Sequence, residues 1–221
     1  MMQLDMFDHY LDSYERRAPS WVQRVQTTGN SVPGLGKKTQ AHLERVTSQN
    51  YLKIYNALKE EAEFRNVEMP ACYVDHSGYT RLGRACREDY TIIVEETSNR
   101  VFNEREMRAL IAHELKHLYQ PDYELPKESV IAEYDSDRAA IDSTDYDTVR
   151  SYVDKAIHMM IDETVPLPIF RSMAHKIHSA FPGVIAENFM IKLDKWHPSP
   201  ADRMKAMRDR EAEKTHQGYS R

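Results

Sequence analysis

The chain is short of cysteine, of long apolar runs and of excess basic charge, and each shortage excludes a class of protein. Its 221 residues contain only Cys72 and Cys86, too few for a disulfide framework, so a reducing cytoplasm is expected. Apolar runs extend over a few residues, far short of the ~20 that cross a bilayer, so no membrane span is expected. The net charge of −5 gives no basis for binding nucleic acid.

The amino-acid composition is that of a globular protein. Hydrophobic residues make up 41%, and the length allows one sizeable domain with a core. The start of the sequence is acidic and interrupted by charge, unlike a signal peptide, which again favours the cytoplasm. We divide the chain into an N-terminal helix with a flexible connector (1–40), a main domain (41–208) and a charged C-terminal tail (209–221).

Hydrophobic periodicity predicts an α+β fold, mostly helical, with a small antiparallel or mixed sheet. A long helix is predicted from about Gln40 to Asn66, and the strongest strand signal is the β-branched and aromatic run at 90–94. The other predicted strands are 71–74 and 79–86, and the other predicted helices are 103–120, 127–141, 144–163, one or two within 169–193, and 201–214.

The segment His113-Glu114-Leu115-Lys116-His117 has the pattern HExxH near the end of a predicted helix. Two histidines four residues apart lie on one helix face, close enough to bind one Zn²⁺. The intervening Glu114 then lies beside the metal, where it can take a proton from water. The pattern is typical of a metalloprotease, although so short a motif also occurs by chance in ordinary helices.

A catalytic zinc site needs three protein ligands and one open position for water. Glu133 follows His117 by 16 residues on the next predicted helix, and it is the predicted third ligand. Asp137 lies one turn further along the same face, where a carboxylate can accept a hydrogen bond from the non-coordinating nitrogen of a ligand histidine. Glu128 and Asp135 are alternative ligands. The other histidines, apart from His197, show no ligand spacing and are expected to be structural.

Three elements of the sequence, in this order, resemble those of the HtpX-like gluzincin peptidases, a family that includes the CAAX prenyl proteases and the mitochondrial OMA-type peptidase. The first is the HExxH segment 113–117. The second, Glu-Tyr-Asp-Ser-Asp-Arg at 133–138, is similar to E-[FY]-x-[AS]-D-R. The third, at 197–204, is similar to HPS-x-x-x-R-[ILM]. The resemblance spans roughly residues 55–205.

The resemblance implies a zincin-like fold with one Zn²⁺ per chain. It also implies Glu114 as the general base and Asp137 as the carboxylate that supports a ligand histidine. The implied zinc ligands are His113, His117 and Glu133. The resemblance adds His197 and Arg203, which would help hold the oxyanion near the scissile carbonyl. Two other interpretations stay open: His197 as a cap before a helix that begins near Pro198, and Arg203 as a surface ion pair.

The chain departs from the family in two respects. Relatives usually carry transmembrane helices, whereas no such helix is predicted here. They also often have an Asn-Ala-[FY] element on the strand before the active helix, where the nearest match is Arg84-Ala85-Cys86. The strand formed by Thr91, Ile92, Ile93 and Val94 can pair with an extended substrate backbone if it forms the sheet edge beside the cleft.

These observations predict a soluble zinc endopeptidase that acts on a peptide or protein. Three alternatives remain. The enzyme could be latent, held off by residues 1–40. The chain could be a non-catalytic module that keeps zinc and binds peptides. It could also be an anti-repressor of the ImmA kind, although such proteins usually have a Glu-x-x-x-Asn element where this chain has Glu133-x-x-x-Asp137.

Overall fold

The computed structural model describes residues 43–76, 82–121, 126–164, 167–180, 202–209 and 212. The predicted helix and connector at 1–40, His197, and all of the tail beyond 209 except residue 212 lie outside these ranges. The chain divides into two compact units, an N-terminal unit (Met1–Pro121) and a C-terminal unit (Asp122–Arg221). The predicted domain boundaries near 40 and 208 stay predictions.

The described residues form an α+β protein in which helix predominates, as predicted. The N-terminal unit contains β1 (Leu43–Arg45), α1 (Leu52–Arg65), β2 (Ala71–Asp75), β3 (Gly83–Cys86), a 3₁₀ turn (Arg87–Asp89), β4 (Thr91–Glu95), α2 (Glu96–Val101) and α3 (Glu104–Leu118). The C-terminal unit contains α4 (Pro126–Ser143), α5 (Tyr146–Thr164) and α6 (Pro168–Ala180), and residues 202–209 are also helical.

The sheet of the N-terminal unit is mixed, with the strand order β1-β2-β4-β3. Strands β2 and β4 run parallel, and the outer pairs are antiparallel. All five residues of β4 are buried. The edge position predicted for Thr91–Val94 is therefore wrong, because β2 and β3 pair with both sides of this strand. A continuous run of β-branched residues is typical of a central strand buried on both faces.

The predicted helix from Gln40 to Asn66 is wrong in its first part, where β1 pairs with β2 instead. A polar turn separates the strand from α1: the backbone N–H of Thr47 donates to Asn50 Oδ1 over 2.7 Å. The N–H of Val46 donates to the carbonyl of Cys72 over 2.9 Å. Short polar side chains of this kind compete with helical hydrogen bonds, which explains the later start of α1.

Helix α3 packs against α1 and against the sheet. Its apolar side, with Leu110, Ile111 and Leu115, is almost completely buried, and each such side chain contributes about 1.5–3 kcal/mol. On the α1 side, Arg108 Nε donates to Glu61 Oε1 over 2.7 Å, and Glu61 is fully buried. The HExxH segment therefore lies on a helix fixed by packing and by a buried ion pair.

In the C-terminal unit, α4 packs against α5 and α5 packs against α6. The helices predicted at 127–141 and 144–163 are confirmed. Asp145 caps the second of these, because its Oδ1 accepts from the backbone N–H of Thr148 over 2.8 Å. Among the described residues, no helix combines the length and apolar character that a membrane crossing requires.

Candidate metal centre

Local sequence fixes where α3 begins. Asn103 Oδ1 accepts from the backbone N–H of Glu106, and Glu106 Oε2 accepts from the backbone N–H of Asn103, both over 2.9 Å. This capping box, predicted from the sequence, sets the phase of the helix. Two polar residues of the motif are consequently buried with the apolar side, His113 with 6% and Glu114 with 7% of its surface exposed.

The two histidines of the motif face each other. Nε2 of His113 and Nε2 of His117 lie 3.1 Å apart, and their rings are nearly perpendicular, at 76°. Two nitrogen ligands of one tetrahedral zinc ion lie about 3.3 Å apart. The pair therefore fits a shared metal ion with almost no movement of either ring.

Gln120 determines which nitrogen His117 presents. Its Oε1 lies 2.6 Å from Nδ1 of His117. Because an amide oxygen only accepts hydrogen bonds, Nδ1 carries the proton and Nε2 keeps its lone pair. Gln120 itself is 5% exposed, and its backbone carbonyl accepts from Arg87 Nη1 over 2.5 Å. Sequence analysis missed this residue, although its position three residues after His117 was a usable signal.

The carboxylate of Glu114 lies against strand β3 at Gly83. A Cβ atom at this position would lie 3.1 Å from both Cγ and Oε1 of Glu114. The absence of a side chain at Gly83 therefore lets the strand approach the carboxylate closely. Burial raises the pKa of the Cys86 thiol on the same strand, and the negative charges of Asp89 and Glu114 raise it further. Strand pairing brings Gly83 to this position, and the sequence motif gave no sign of it.

Arg84, which stands nearest to the family's asparagine, is engaged in an ion pair. Its Nη2 donates to Oδ2 of Asp75 over 3.0 Å, and the Asp75 side chain is 3% exposed. The bond reaches from β3 across β4 to β2. Arg84 therefore joins β3 to β2 at the position that the resemblance matches to the asparagine of the HtpX-like peptidases.

The backbone of β3 has one side available for pairing. The carbonyl of Leu82 accepts from the N–H of Glu95 over 3.1 Å, so residues 82, 84 and 86 direct their backbone groups toward β4. In an antiparallel pair the alternate residues point the other way. Gly83 and Ala85 consequently direct their N–H and C=O groups outward, because β3 is the last strand of the sheet that the described residues form.

The carboxylates predicted for the site lie on α4 in the C-terminal unit. Glu133 is 7% exposed and Asp137 is 2% exposed, one helical turn apart on the same buried face. The alternative ligands Glu128 and Asp135 are both exposed. Burial of a carboxylate costs free energy unless the group has a cationic or hydrogen-bonding partner. The buried Glu133 is therefore a better candidate for the third metal ligand than the exposed Glu128 and Asp135.

Asp137 forms a bidentate ion pair with Arg203. Arg203 Nε donates to Oδ2 over 2.8 Å and Nη2 donates to Oδ1 over 2.5 Å. Burial lowers the pKa of Arg203, but the charge and hydrogen bonding of Asp137, with smaller contributions from Tyr152 and Glu133, together raise it well above its ordinary value. Arg203 therefore forms an ion pair, but the surface position of the alternative interpretation is wrong, because the pair is largely buried. The predicted hydrogen bond that Asp137 accepts from a ligand histidine and the oxyanion role of Arg203 stay predictions.

Comparison with family models, with curated proteins and with solved structures found no match. The resemblance to the HtpX-like peptidases therefore rests on the three sequence elements. Two of them fall entirely on described residues, and the third falls partly on them. The HExxH segment is buried on a well-formed helix, and the second element supplies the buried Glu133 and Asp137. From the third element the structure describes Arg203 but leaves out His197.

Proposed function

We propose that this protein is a zinc-dependent metalloendopeptidase that hydrolyses peptide bonds in a peptide or protein substrate. The observation that carries the proposal is the facing pair of Nε2 atoms in the HExxH helix, 3.1 Å apart, with Gln120 fixing the tautomer of His117. Glu133, buried on α4, is the third ligand in this proposal, as its spacing from His117 predicts. Glu114 supplies the base.

The donor set favours zinc. Two neutral imidazole nitrogens and one carboxylate oxygen form a ligand set that suits Zn²⁺, whereas Mg²⁺ and Ca²⁺ prefer oxygen ligands. Three protein ligands leave the fourth tetrahedral position for a water molecule, as in other catalytic zinc sites. We therefore propose one catalytic zinc per chain, with His113, His117 and Glu133 as its ligands.

Glu114 is the general base in this proposal. When bound, Zn²⁺ supplies Lewis acidity that acidifies water and polarises the scissile carbonyl. The Glu114 carboxylate accepts a proton from the attacking water and then delivers it to the leaving amine. Its contact with β3 at Gly83 limits the positions that the carboxylate can adopt, which keeps it aligned for both transfers.

The substrate strand in this proposal is β3, since β4 is a central strand. An extended peptide can pair with the outward N–H and C=O groups of Gly83 and Ala85 by adding a strand to the sheet. This pairing places the peptide backbone next to the carboxylate of Glu114, because Gly83 contacts that side chain. Main-chain pairing gives affinity with little side-chain selectivity, so a protease of broad specificity is expected.

Arg203 keeps a role in the proposal. A guanidinium has five N–H donors, and Asp137 accepts from Nε and from Nη2. The remaining donors can stabilise negative charge on the scissile carbonyl oxygen, together with His197 as the resemblance implies. Asp137 then acts as a positioning residue that fixes the plane of the guanidinium.

The proposal is tested by zinc content and casein cleavage of the purified full-length chain. Glu114→Gln should retain about one zinc per chain while kcat falls about 10²–10⁴-fold, the typical contribution of a general base. Glu104→Gln is the matched control, because Glu104 is an exposed glutamate in the first turn of the same helix. It should leave both zinc content and cleavage unchanged.

Other outcomes of the same experiment point to the alternatives. A chain without zinc contradicts the metal site. Zinc without cleavage contradicts an active peptidase, and it leaves a latent enzyme or a zinc-containing peptide-binding module of the anti-repressor kind. Deleting residues 1–40 then separates these two, because only the latent enzyme gains activity.

A further inference from the structure

A second pair of histidines lies in the C-terminal unit, away from the HExxH helix in the sequence. His158 on α5 and His175 on α6 have their Nδ1 atoms 2.6 Å apart. The ring planes are inclined by 25° and the ring centroids lie 4.8 Å apart, so the rings meet at their Nδ1 edges. The pair is formed by the packing of two helices, since 17 residues separate its members along the chain.

The outer nitrogen of each ring faces a carboxylate. Nε2 of His175 lies 2.9 Å from Oδ1 of Asp162, and Nε2 of His158 lies 3.7 Å from Oδ2 of Asp154. Arg171 also approaches Asp162, with Nε 3.8 Å from the same oxygen. A carboxylate next to an imidazole N–H holds the proton on that nitrogen and directs the lone pair of the other nitrogen elsewhere.

The two Nδ1 atoms face each other within hydrogen-bond distance, so a metal ion can take the place of a proton between them. When both Nε2 atoms carry their protons toward Asp154 and Asp162, two Nδ1 lone pairs meet, and a cation between them relieves the repulsion. Histidines that bind metal ions usually have this arrangement, with one nitrogen on the ion and the other donating to a carboxylate. We propose that His158 and His175 bind a first-row divalent transition-metal ion through Nδ1, at a site separate from the HExxH motif.

The geometry of the pair allows an ion to enter. Two nitrogen ligands of a tetrahedral ion lie about 3.3 Å apart, so the two Nδ1 atoms must separate by less than about 1 Å. The side chains of His158 and His175 are 35% and 27% exposed, so small ring rotations meet little resistance. His175 also lines an open cavity of about 700 Å³ together with Asp162, Ser172 and Ser179, so solvent reaches this side chain.

The ligand chemistry narrows the choice of ion. Two imidazoles and water favour Cu²⁺, Ni²⁺ or Zn²⁺ over Mg²⁺ and Ca²⁺, and Cu²⁺ binds most tightly to nitrogen donors in this series. Cu²⁺ is therefore the best probe, since its electron paramagnetic resonance spectrum reports the number of coordinating nitrogens. A site with only two protein ligands is expected to bind reversibly.

The test uses the full-length chain with His113→Ala and His117→Ala, which removes the first site. This variant should bind one Cu²⁺ per chain, with a spectrum that shows two nitrogen ligands. Adding His158→Ala or His175→Ala should raise the Kd at least about tenfold and remove one nitrogen. His76→Ala is the matched control, because His76 is 33% exposed and lies between Glu44 and Glu96. It should change neither result.

A second measurement covers the case in which the double alanine variant fails to fold. The otherwise unaltered chain should bind two Cu²⁺ per chain, and His158→Ala should bind one. Unchanged Kd and spectrum in the His158 and His175 variants overturn the proposal. Absence of copper binding in the folded variants also overturns it, because the pair then shares a proton and nothing more. Neither outcome depends on peptidase activity, so the two proposals fail separately.

Discussion

The two units of this protein hold their histidines and carboxylates by contacts of different range. On α3, His117 is held by Gln120, three residues away, and faces His113, four residues away. In the C-terminal unit, Asp137 is held by a residue 66 positions later in the chain, and the His158–His175 contact spans 17 positions. The first arrangement is a property of one helix, and the second is a property of the packed unit.

This difference determines what a mutation will disturb. A local contact on α3 affects the geometry of one side chain, so its loss changes metal affinity or catalysis with little effect on folding. A long-range contact between buried charges joins separate elements, so its loss leaves an unpaired charge and lowers the stability of the unit. Helices α3 and α4 also differ in their carboxylates, since Glu114 is the proposed general base whereas Asp137 holds the Arg203 guanidinium.

The largest effect on stability is expected for Asp137→Asn. This change leaves the buried Arg203 guanidinium without its bidentate partner, and breaking a buried pair in this way costs about 3–5 kcal/mol. Arg203 is 20% exposed, which places the expected loss near the lower end, about 3 kcal/mol. The measurement is the free energy of unfolding by urea.

The matched control for this prediction is Asp209→Asn on the same helical segment as Arg203. Asp209 pairs with Lys205 over 3.2 Å, but both side chains are more than half exposed. An exposed pair contributes about 0–1 kcal/mol, so this variant should unfold almost as the parent does. Equal losses in the two variants would show that the Asp137–Arg203 pair contributes no more than a surface ion pair.

The same distinction between local and long-range contacts explains which features the sequence predicted. The capping box at Asn103, the shared face of His113 and His117, and the helices at 127–141 and 144–163 depend on neighbours within one or two turns. They were predicted correctly because helical periodicity and capping chemistry are local. The prediction of a strand at 90–94 was also correct, because a run of β-branched residues identifies a strand without information from distant parts of the chain.

The errors concern residues whose environment is set by distant parts of the chain. The position of β4 in the sheet depends on pairing with β2 and β3, which no strand sequence encodes alone. The contact of Gly83 with Glu114 depends on how α3 packs on the sheet. The His158–His175 pair depends on two helices meeting. Gln120 is the exception, since its spacing from His117 was local and could have been recognised.

The next largest effect is expected for Gln120→Ala, which tests the local arrangement. Removing the acceptor of the Nδ1–H bond frees the tautomer and orientation of His117, and loss of such a partner lowers metal affinity about 10–100-fold. Gln120→Glu is the control, because it keeps an oxygen acceptor at the same distance along the side chain. Zinc affinity is measured by competition with a chromophoric chelator.

Stability distinguishes this prediction from the previous one. Gln120→Ala should lower zinc affinity while the free energy of unfolding of the metal-free chain stays nearly unchanged. A loss of stability as large as the one expected for Asp137→Asn would contradict the division into local and long-range contacts. It would show that the Arg87–Gln120–His117 series of contacts supports the fold of the N-terminal unit.

A smaller effect is expected for Gly83→Ala. The added methyl group would lie 3.1 Å from Cγ and Oε1 of Glu114, so the carboxylate must move by a few tenths of an ångström. Since misplacing a reacting group by about 1 Å costs about 10²-fold, a decrease in kcat of less than about tenfold is expected. Zinc content should stay constant, because the three atoms nearest to the added methyl group all belong to Glu114, which is not a proposed ligand. A fall in zinc content with unchanged kcat per bound zinc would contradict the assignment.

The smallest effect is expected for Ala85→Pro, which tests whether β3 is the substrate strand. Proline removes the outward N–H of residue 85 and is tolerated on an edge strand, where that group makes no bond within the sheet. Loss of one substrate hydrogen bond, about 1 kcal/mol, should raise KM about fivefold and leave kcat nearly unchanged. The measurement uses an extended peptide cleaved by the purified chain.

Ala85→Val is the control for this change, because it adds side-chain bulk while keeping the backbone donor. Its KM should remain close to that of the parent chain, and zinc content should be equal in all three proteins. A proline variant with unchanged KM would mean that the substrate pairs elsewhere. Since β4 is already paired on both sides, the substrate would then have to pair with β1, the other edge strand of the described sheet. The contact between Gly83 and Glu114 would no longer be a reason to place the substrate at β3.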